Sequence, residues 1–358
     1  MADDYGYHID HHGSLVRPAA LLAARASADP AVIEAAEQEA AVSLAHALRR
    51  LALSAVNDGQ YRRAYFESVA YDHIDGFTAA PGQAPLSDLA GIPAGRRRAA
   101  PAAPAARGRL AQAEAAPVLA TVDRPVFVTL PSAGYLAAVG GVADLDAVAA
   151  CGAALAAIVK AEIEALAVDG VSYVALANPL YVPLLTTQGR AALSAAGIDA
   201  DAALTALASA DNATVAGLDV SAGFRVGLDL TDSGPLPTTS RGYDVKAVAA
   251  LLDATPFHRL GIDYPADATA RFPVDLVKPG IVVSLGVVDV STPELEPVEE
   301  LLDRVDGIAT ERGEADIAIA TTGGFAQVAD QPLMSSSEQH AKLELVEIVS
   351  RYYWGNEI

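Results

Sequence analysis

One cysteine in 358 residues, Cys151, rules out an intrachain disulfide and any metal centre built from several thiolates. It sits in a helix-like run, residues 144–166, among small apolar neighbours, so a buried structural thiol is expected. Positive charge is also scarce: 24 Lys and Arg stand against 45 Asp and Glu, a formal charge of −21. So anionic a surface repels phosphate backbones and anionic headgroups, and neither nucleic acid nor a membrane is an expected partner. The sequence lacks an uninterrupted apolar run of the roughly 18 residues that a span needs, and its start, MADDYGYHID, lacks a leader's apolar core. The expectation is a soluble, cytoplasmic protein with a small-molecule substrate. No glycine-rich phosphate turn follows a first strand, which removes the main sign of an open doubly wound sheet.

Against these absences stands an abundance of Ala, Val and Leu, which carry most of a 52% apolar content and suffice for a large core. Short β-branched runs alternate with long Ala-rich helical stretches, the pattern of repeated βα units on a parallel sheet. Eight strands are predicted, at 11–15, 54–59, 126–131, 171–179, 224–231, 259–265, 280–289 and 315–324. Together they suit a single (β/α)8 TIM barrel over residues 1–358. Residues 79–118 break the alternation. Rich in Pro, Ala and Gly, and holding Arg96, Arg97 and Arg98, they read as an insertion between the second and third strands, mobile or folded as a small excursion. The Arg triplet could grip an anionic substrate tail, although a solvated loop is the commoner fate.

Several strings, in order along the chain, resemble the catalytic barrel of cobalamin-independent methionine synthase. They begin with His12-Gly13-Ser14-Leu15 and Arg17-Pro18, then Asn57-Asp58-Gly59-Gln60 with Arg62, Arg63 and Phe66, then Leu130-Pro131-Ser132. Gly286-Val287-Val288-Asp289 follows, with Glu296 and Glu299-Glu300-Leu301 after it, then Gly323-Gly324-Phe325, and a stretch from Ser337-Glu338 through Lys342-Leu343 to Trp354-Gly355. The resemblance covers nearly the whole chain. It implies a barrel shared with uroporphyrinogen decarboxylases and methyl transfer from methyltetrahydrofolate, or another donor, to a thiol. In that family a zinc held by a His-x-Cys pair, a Glu and a second Cys turns the thiol into a thiolate.

This chain departs at each ligand. Asp229 and Thr231 stand where His-x-Cys should end its strand, Asp263 is a shorter carboxylate in place of the Glu, and Gly323 replaces the second Cys. The family's Asp-Glu-Pro motif, whose carboxylates hold an amino acid's amine, reads Ala177-Asn178-Pro179. A Cys-ligated zinc is thereby excluded, and an acceptor bound through its ammonium loses its main partners.

What remains at the predicted strand ends is polar: His12, Asp58, Ser132, Asn178, Asp229, Thr231, Asp263 and Asp289. The C-terminal strand ends of such barrels host the chemistry. His12, Asp229 and Asp263 are the candidate catalytic residues, as acid–base groups or as nitrogen and oxygen ligands of a divalent metal such as iron, manganese or zinc. Asp229 and Asp263 lie on adjacent predicted strands. Close together they would split their pKa values or share a cation; apart, they would cap a helix or pair with Arg225 or Arg259. Asp58, Arg62, Ser132, Asn178 and Asp289 are candidate substrate contacts, with Arg62 and Arg63 suited to an anionic group and equally to surface ion pairs. Tyr7, Tyr61, Tyr65, Tyr71, Tyr173, Tyr181 and Tyr264 fall near strand ends or the helices that follow, and two or three of them are expected to line a flat pocket for a pterin or another aromatic ligand.

The leading reading is a methyl, one-carbon or alkyl transferase acting on a small acceptor, with methyltetrahydrofolate as candidate donor. A second is a His/Asp metal-dependent lyase, hydrolase or oxidative enzyme. A third is a non-catalytic partner subunit that keeps the barrel and serves a catalytic partner protein. A homo-oligomer is compatible with any of them.

Overall fold

The computed structural model describes residues 7–231, 242–254 and 256–355. Its centre is a six-stranded parallel sheet formed by β1 (Phe127–Pro131), β2 (Tyr173–Ala177), β3 (Arg225–Asp229), β4 (Arg259–Asp263), β5 (Val282–Val288) and β6 (Ile317–Thr321). The strands are neighbours in space in chain order. Almost all their residues are buried, as expected of a parallel sheet covered on both faces.

At the two edges, the first and second predicted strands reduce to single parallel bridges, Ile9 with Ile319 and Val56 with Val126. The edges are also tied to each other: the Ser54 N–H donates to Ile9 O, and the Ile9 N–H donates to Ser54 Oγ, both at 3.0 Å. The first element is therefore centred on Ile9 rather than on 11–15. Residues 10–14 cannot extend a ladder because Gly13 turns the backbone at φ 69° and the polar side chains before it are aimed into the interior.

Helices cover the sheet in the crossovers. Leu145–Asp169 starts at Asp144, whose carboxylate accepts the Ala147 N–H, and stops at Gly170, which takes the left-handed φ of 103°. Cys151 lies on its buried face, donates to Pro101 O at 3.2 Å, and has its thiol pKa pushed up by burial, in keeping with a structural thiol. Ala200–Val215, Val245–Ala254, Val298–Arg312 and Ser336–Trp354 serve the other strands. The β4–β5 connection is the exception, with two 3-10 turns, Ala268–Ala270 and Val274–Leu276, in a stretch punctuated by Pro265, Pro273 and Pro279. Among the described residues no single helix is long and apolar enough to cross a membrane; Thr187–Ala195 and Ala200–Val215 meet that test only jointly and are bent by 111°.

The 79–118 insertion is folded. Antiparallel ladders pair Ile74–Asp75 with Ala105–Ala106 and Thr78–Ala79 with Arg98–Ala99, making a neck that begins just before the predicted boundary. Its arginines are not a solvated cluster. Arg96 donates twice to Glu67, at 3.0 and 2.8 Å, and Arg97 donates to Asp88 and to Ile92 O, both at 2.5 Å. Arg98 lies over the Tyr71 ring at 5.6 Å. With Arg96 and Arg97 buried and paired, their charge is committed to the fold rather than to a substrate tail.

Candidate active site

One in-register row across the sheet runs Pro131, Ala177, Asp229, Gly261, Ser284 and Ala318. Side chains in a row face the same side, so its small residues leave room for others entering from outside the sheet. A Cβ on Gly261 would lie 2.9 Å from Asp229 Oδ1 and 3.3 Å from His12 Nε2. The missing side chain is what lets this carboxylate and imidazole converge. Thr231 N–H donates to Asp229 Oδ1 at 2.9 Å, and His12 Nε2 is hydrogen-bonded to Ser284 Oγ at 3.0 Å. Ser284 Oγ also accepts from Arg259 at 3.2 Å, so one hydroxyl joins the imidazole to the guanidinium.

Below this row lies a hydrogen-bonded network around Asp10, beside which both His11 ring nitrogens and His12 Nδ1 have no partner. Arg259 donates to Asp10 Oδ2 at 2.8 Å and to Tyr7 O at 2.9 Å, Tyr173 donates to the same Asp10 oxygen at 2.8 Å, and the His11 N–H donates to Asp10 Oδ1 at 2.8 Å. Phe127 and Tyr173 stack at 4.9 Å and Tyr7 joins at 5.2 Å. The His11 imidazole sits edge-on to Phe127 at 5.5 Å, and burial drives its pKa down to about 4. His11, His12, Asp10, Asp229 and Arg259 border a space of about 20 Å³, room for a water.

Above the row, at the mouth, a second space of about 30 Å³ is lined by Ser14, Gln60, Asp229 and Thr231, with Phe66, Ala177 and Pro179 as apolar walls. Here too polar groups are left open. Ser14 Oγ and both amide atoms of Gln60 are buried with no hydrogen-bond partner. Leaving such a group unpaired costs about 1–3 kcal/mol. Gln60 is 2% exposed and holds φ at 59°, a region that non-glycine residues rarely adopt. Its backbone is pinned from both sides: Asp58 Oδ1 accepts its N–H at 2.9 Å and Arg17 donates to its carbonyl at 2.8 Å. The Asp58 pKa is pushed up to about 7, first by burial and then by the Glu114 carboxylate, with Arg63 opposing. Asp58 Oδ2 has no partner.

The other predicted site residues are placed as follows. Asp263 ends β4 two residues beyond Gly261, hence roughly 6–7 Å further along than the position paired with Asp229, and is buried. Ser132 caps the Ala133–Ala138 helix by accepting the Tyr135 N–H at 3.1 Å. Asn178 donates to Asp211 at 3.0 Å and accepts the Leu180 N–H at 3.2 Å. Asp289 accepts both the Ser291 N–H and its hydroxyl in a local turn, at 2.8 and 2.9 Å. Arg62 is bidentate to Glu34, 2.7 Å for each bond, and reaches Glu37 at 2.9 Å, so its charge is spent on the Pro30–Arg50 helix. Of the seven tyrosines, Tyr173 borders the lower space, and none lines the mouth space.

Among the described residues no three His, Cys, Asp or Glu side chains come together as a metal site. The set of His12, Asp229 and Asp263 does not fit a shared ion: the imidazole nitrogen facing Asp229 is engaged by Ser284, and Asp263 is offset along its strand.

Asp211 and Glu67 escaped the sequence reading. Asp211, wholly buried, accepts the Gly134 N–H at 2.6 Å, Asn178 Nδ2 at 3.0 Å and the Tyr181 hydroxyl at 2.9 Å. A signal existed: it follows Leu204 and Leu207 on the apolar face of its helix, where a lone carboxylate needs partners. Glu67 takes Arg96 and the Tyr135 hydroxyl together.

The arrangement is a parallel α/β fold with an imidazole, a carboxylate and unpaired polar groups at one end of its sheet. No protein-family model matches the sequence. No curated protein matches it either. Solved structures do. The fold is similar to that of a Listeria monocytogenes protein whose proposed activity is vitamin-B12-independent methionine synthesis, with a TM-score of 0.69 and 15% identity over 98% of both chains. It is also similar to a B12-independent methionine synthase from Shewanella sp. W3-18-1 solved in complex with selenomethionine, with a TM-score of 0.71 and 13% identity over 97% of both. At such identities the likeness is one of fold: the chain has the architecture of methionine synthase-like barrels, and the family resemblance read from the sequence holds at that level.

Proposed function

We propose that the chain is a methyltransferase-like enzyme that moves a methyl, or a related one-carbon or alkyl group, to a small acceptor at the mouth without a Cys-ligated zinc. The two edge bridges are read here as closing an eight-stranded barrel around that site. The observation that carries the reading is the position of Asp229, which borders both spaces, with His12 beside one and Ser14 and Gln60 beside the other. As the acceptor's heteroatom bonds to the methyl carbon, the carbon–donor bond breaks with its electron pair left on the donor, and the acceptor's proton passes to Asp229. His12 adjoins Asp229 across Gly261, and Asp263, two residues further along its strand, borders neither space. A positioned base contributes about 10² to 10⁴-fold; methyltetrahydrofolate, the candidate donor, carries its methyl on a tertiary amine and must take a proton on N5 before the bond breaks, so that the electron pair leaves on a neutral amine.

The test is transfer of a labelled methyl group from methyltetrahydrofolate and from a sulfonium donor to thiol, amine and hydroxyl acceptors. Asp229→Asn should lower kcat by about 10² to 10⁴-fold in a folded protein. No labelled acceptor with either donor, or an unimpaired Asp229→Asn, would sink the reading.

A further inference from the structure

We propose that the mouth pocket reads a neutral, planar amide, the carboxamide or lactam edge of its ligand, through Gln60 and Ser14. The inference rests on the mouth being the substrate site and names the chemistry that site selects. The Gln60 amide offers N–H donors and a carbonyl acceptor in one plane, and neither its nitrogen nor its oxygen has a partner within the protein. A group with an acceptor and a donor side by side meets both through two parallel hydrogen bonds, the way Gln reads an adenine edge. Ser14 Oγ, equally buried and unpartnered, adds a third polar contact in the same space.

The alternatives by charge fit less well. An ammonium ligand would suit Asp229 but has nothing to accept the Gln60 protons. A carboxylate would accept them but would set a like charge beside Asp229, which lines the same space. A neutral amide gives its carbonyl to Gln60 Nε2 and its N–H to Gln60 Oε1 or Asp229. Phe66, Ala177 and Pro179 supply apolar walls for its flat faces. The left-handed backbone at Gln60, braced by Asp58 and Arg17, fixes the point from which its amide extends.

The experiment is titration of uniformly ¹⁵N-labelled protein with acetamide, N,N-dimethylacetamide, acetate and methylammonium, followed by two-dimensional NMR. Acetamide should shift the resonances of the pocket residues saturably, and the other three should bind at least tenfold more weakly. Gln60→Asn keeps a residue that tolerates the left-handed backbone but draws the amide back by one methylene, so it should bind acetamide at least tenfold more weakly while remaining folded. Ser14→Ala should weaken it several-fold. Acetamide binding no better than N,N-dimethylacetamide, a preference for methylammonium, or wild-type binding by both variants would overturn the inference. Amide selectivity without methyl transfer would leave it standing and remove the transferase reading; transfer without amide selectivity would do the reverse.

Discussion

Asp10 and Ser14 are four residues apart in one short segment, yet they belong to regions of opposite character. Around Asp10, deep in the sheet's interior, a carboxylate, a guanidinium, a phenol, a hydroxyl and an imidazole are joined by successive hydrogen bonds. Around Ser14, at the mouth, the hydroxyl and the Gln60 amide are just as buried and face a small space with no partner. Burial is the same, but the Asp10 carboxylate is fully engaged, whereas the mouth groups, like the His11 ring nitrogens and His12 Nδ1 next to Asp10, have no partner. A polar group whose bonds close within the protein serves the fold, and one left open at a strand end is available to a ligand.

The comparison is most severely tried by breaking the closed region. Asp10 and Arg259 form an ion pair with side chains 4% and 5% exposed, and removing one partner strands a buried charge. Asp10→Ala should cost about 3–5 kcal/mol, read as a lower denaturant midpoint. A loss under about 1 kcal/mol would mean that the interior tolerates open charges and that satisfaction distinguishes nothing.

Next in size is Asp58, beside the mouth. Its folded pKa of about 7 lies above its unfolded value, so the native chain holds a proton that the unfolded chain gives up between about pH 4 and 7. The stability that neutral Asp58 contributes is full below about pH 4 and is lost as pH rises through 7. Asp58→Asn keeps a neutral acceptor for the Gln60 N–H. It should stabilise the protein by roughly 4 kcal/mol at pH 8 and leave it unchanged near pH 4, measured by chemical unfolding at the two values. Equal effects at both would place the proton elsewhere.

The finest comparison uses one substitution twice. Ser284→Ala removes the hydroxyl that joins Arg259 to His12 and should cost about 1–2 kcal/mol. Ser14→Ala removes a hydroxyl that bonds nothing in the protein, and should be neutral or stabilising by up to about 1 kcal/mol. Equal thermal shifts in the two variants would erase the distinction.

How much of this was readable in the sequence depends on the distance over which each feature is decided. The six sheet strands were legible because β-branched runs and helical spacing are local, and each observed strand falls inside its predicted segment. The first strand was misplaced because a single bridge at Ile9 leaves no periodic trace. Asp229 was legible as a strand-end polar residue, and His12 from the family-like string around it. The partner of Arg259 was not, because Asp10 lies 249 residues earlier and only the sheet brings them together. Arg62 was assigned to substrate for the same reason: its carboxylates, Glu34 and Glu37, sit on another element and are invisible until the helix docks. Gln60 carried no local sign that it would be forced left-handed, since Gly59 beside it is the residue that usually absorbs such a turn.

Asp211 bears on motion. By gripping Gly134 after β1 and both Asn178 and Tyr181 after β2, it fastens two consecutive rim turns to the Ala200–Val215 helix. That arc of the rim is thereby tied to its helix. In hydrogen exchange, the Gly134 amide should then open only when the whole chain unfolds.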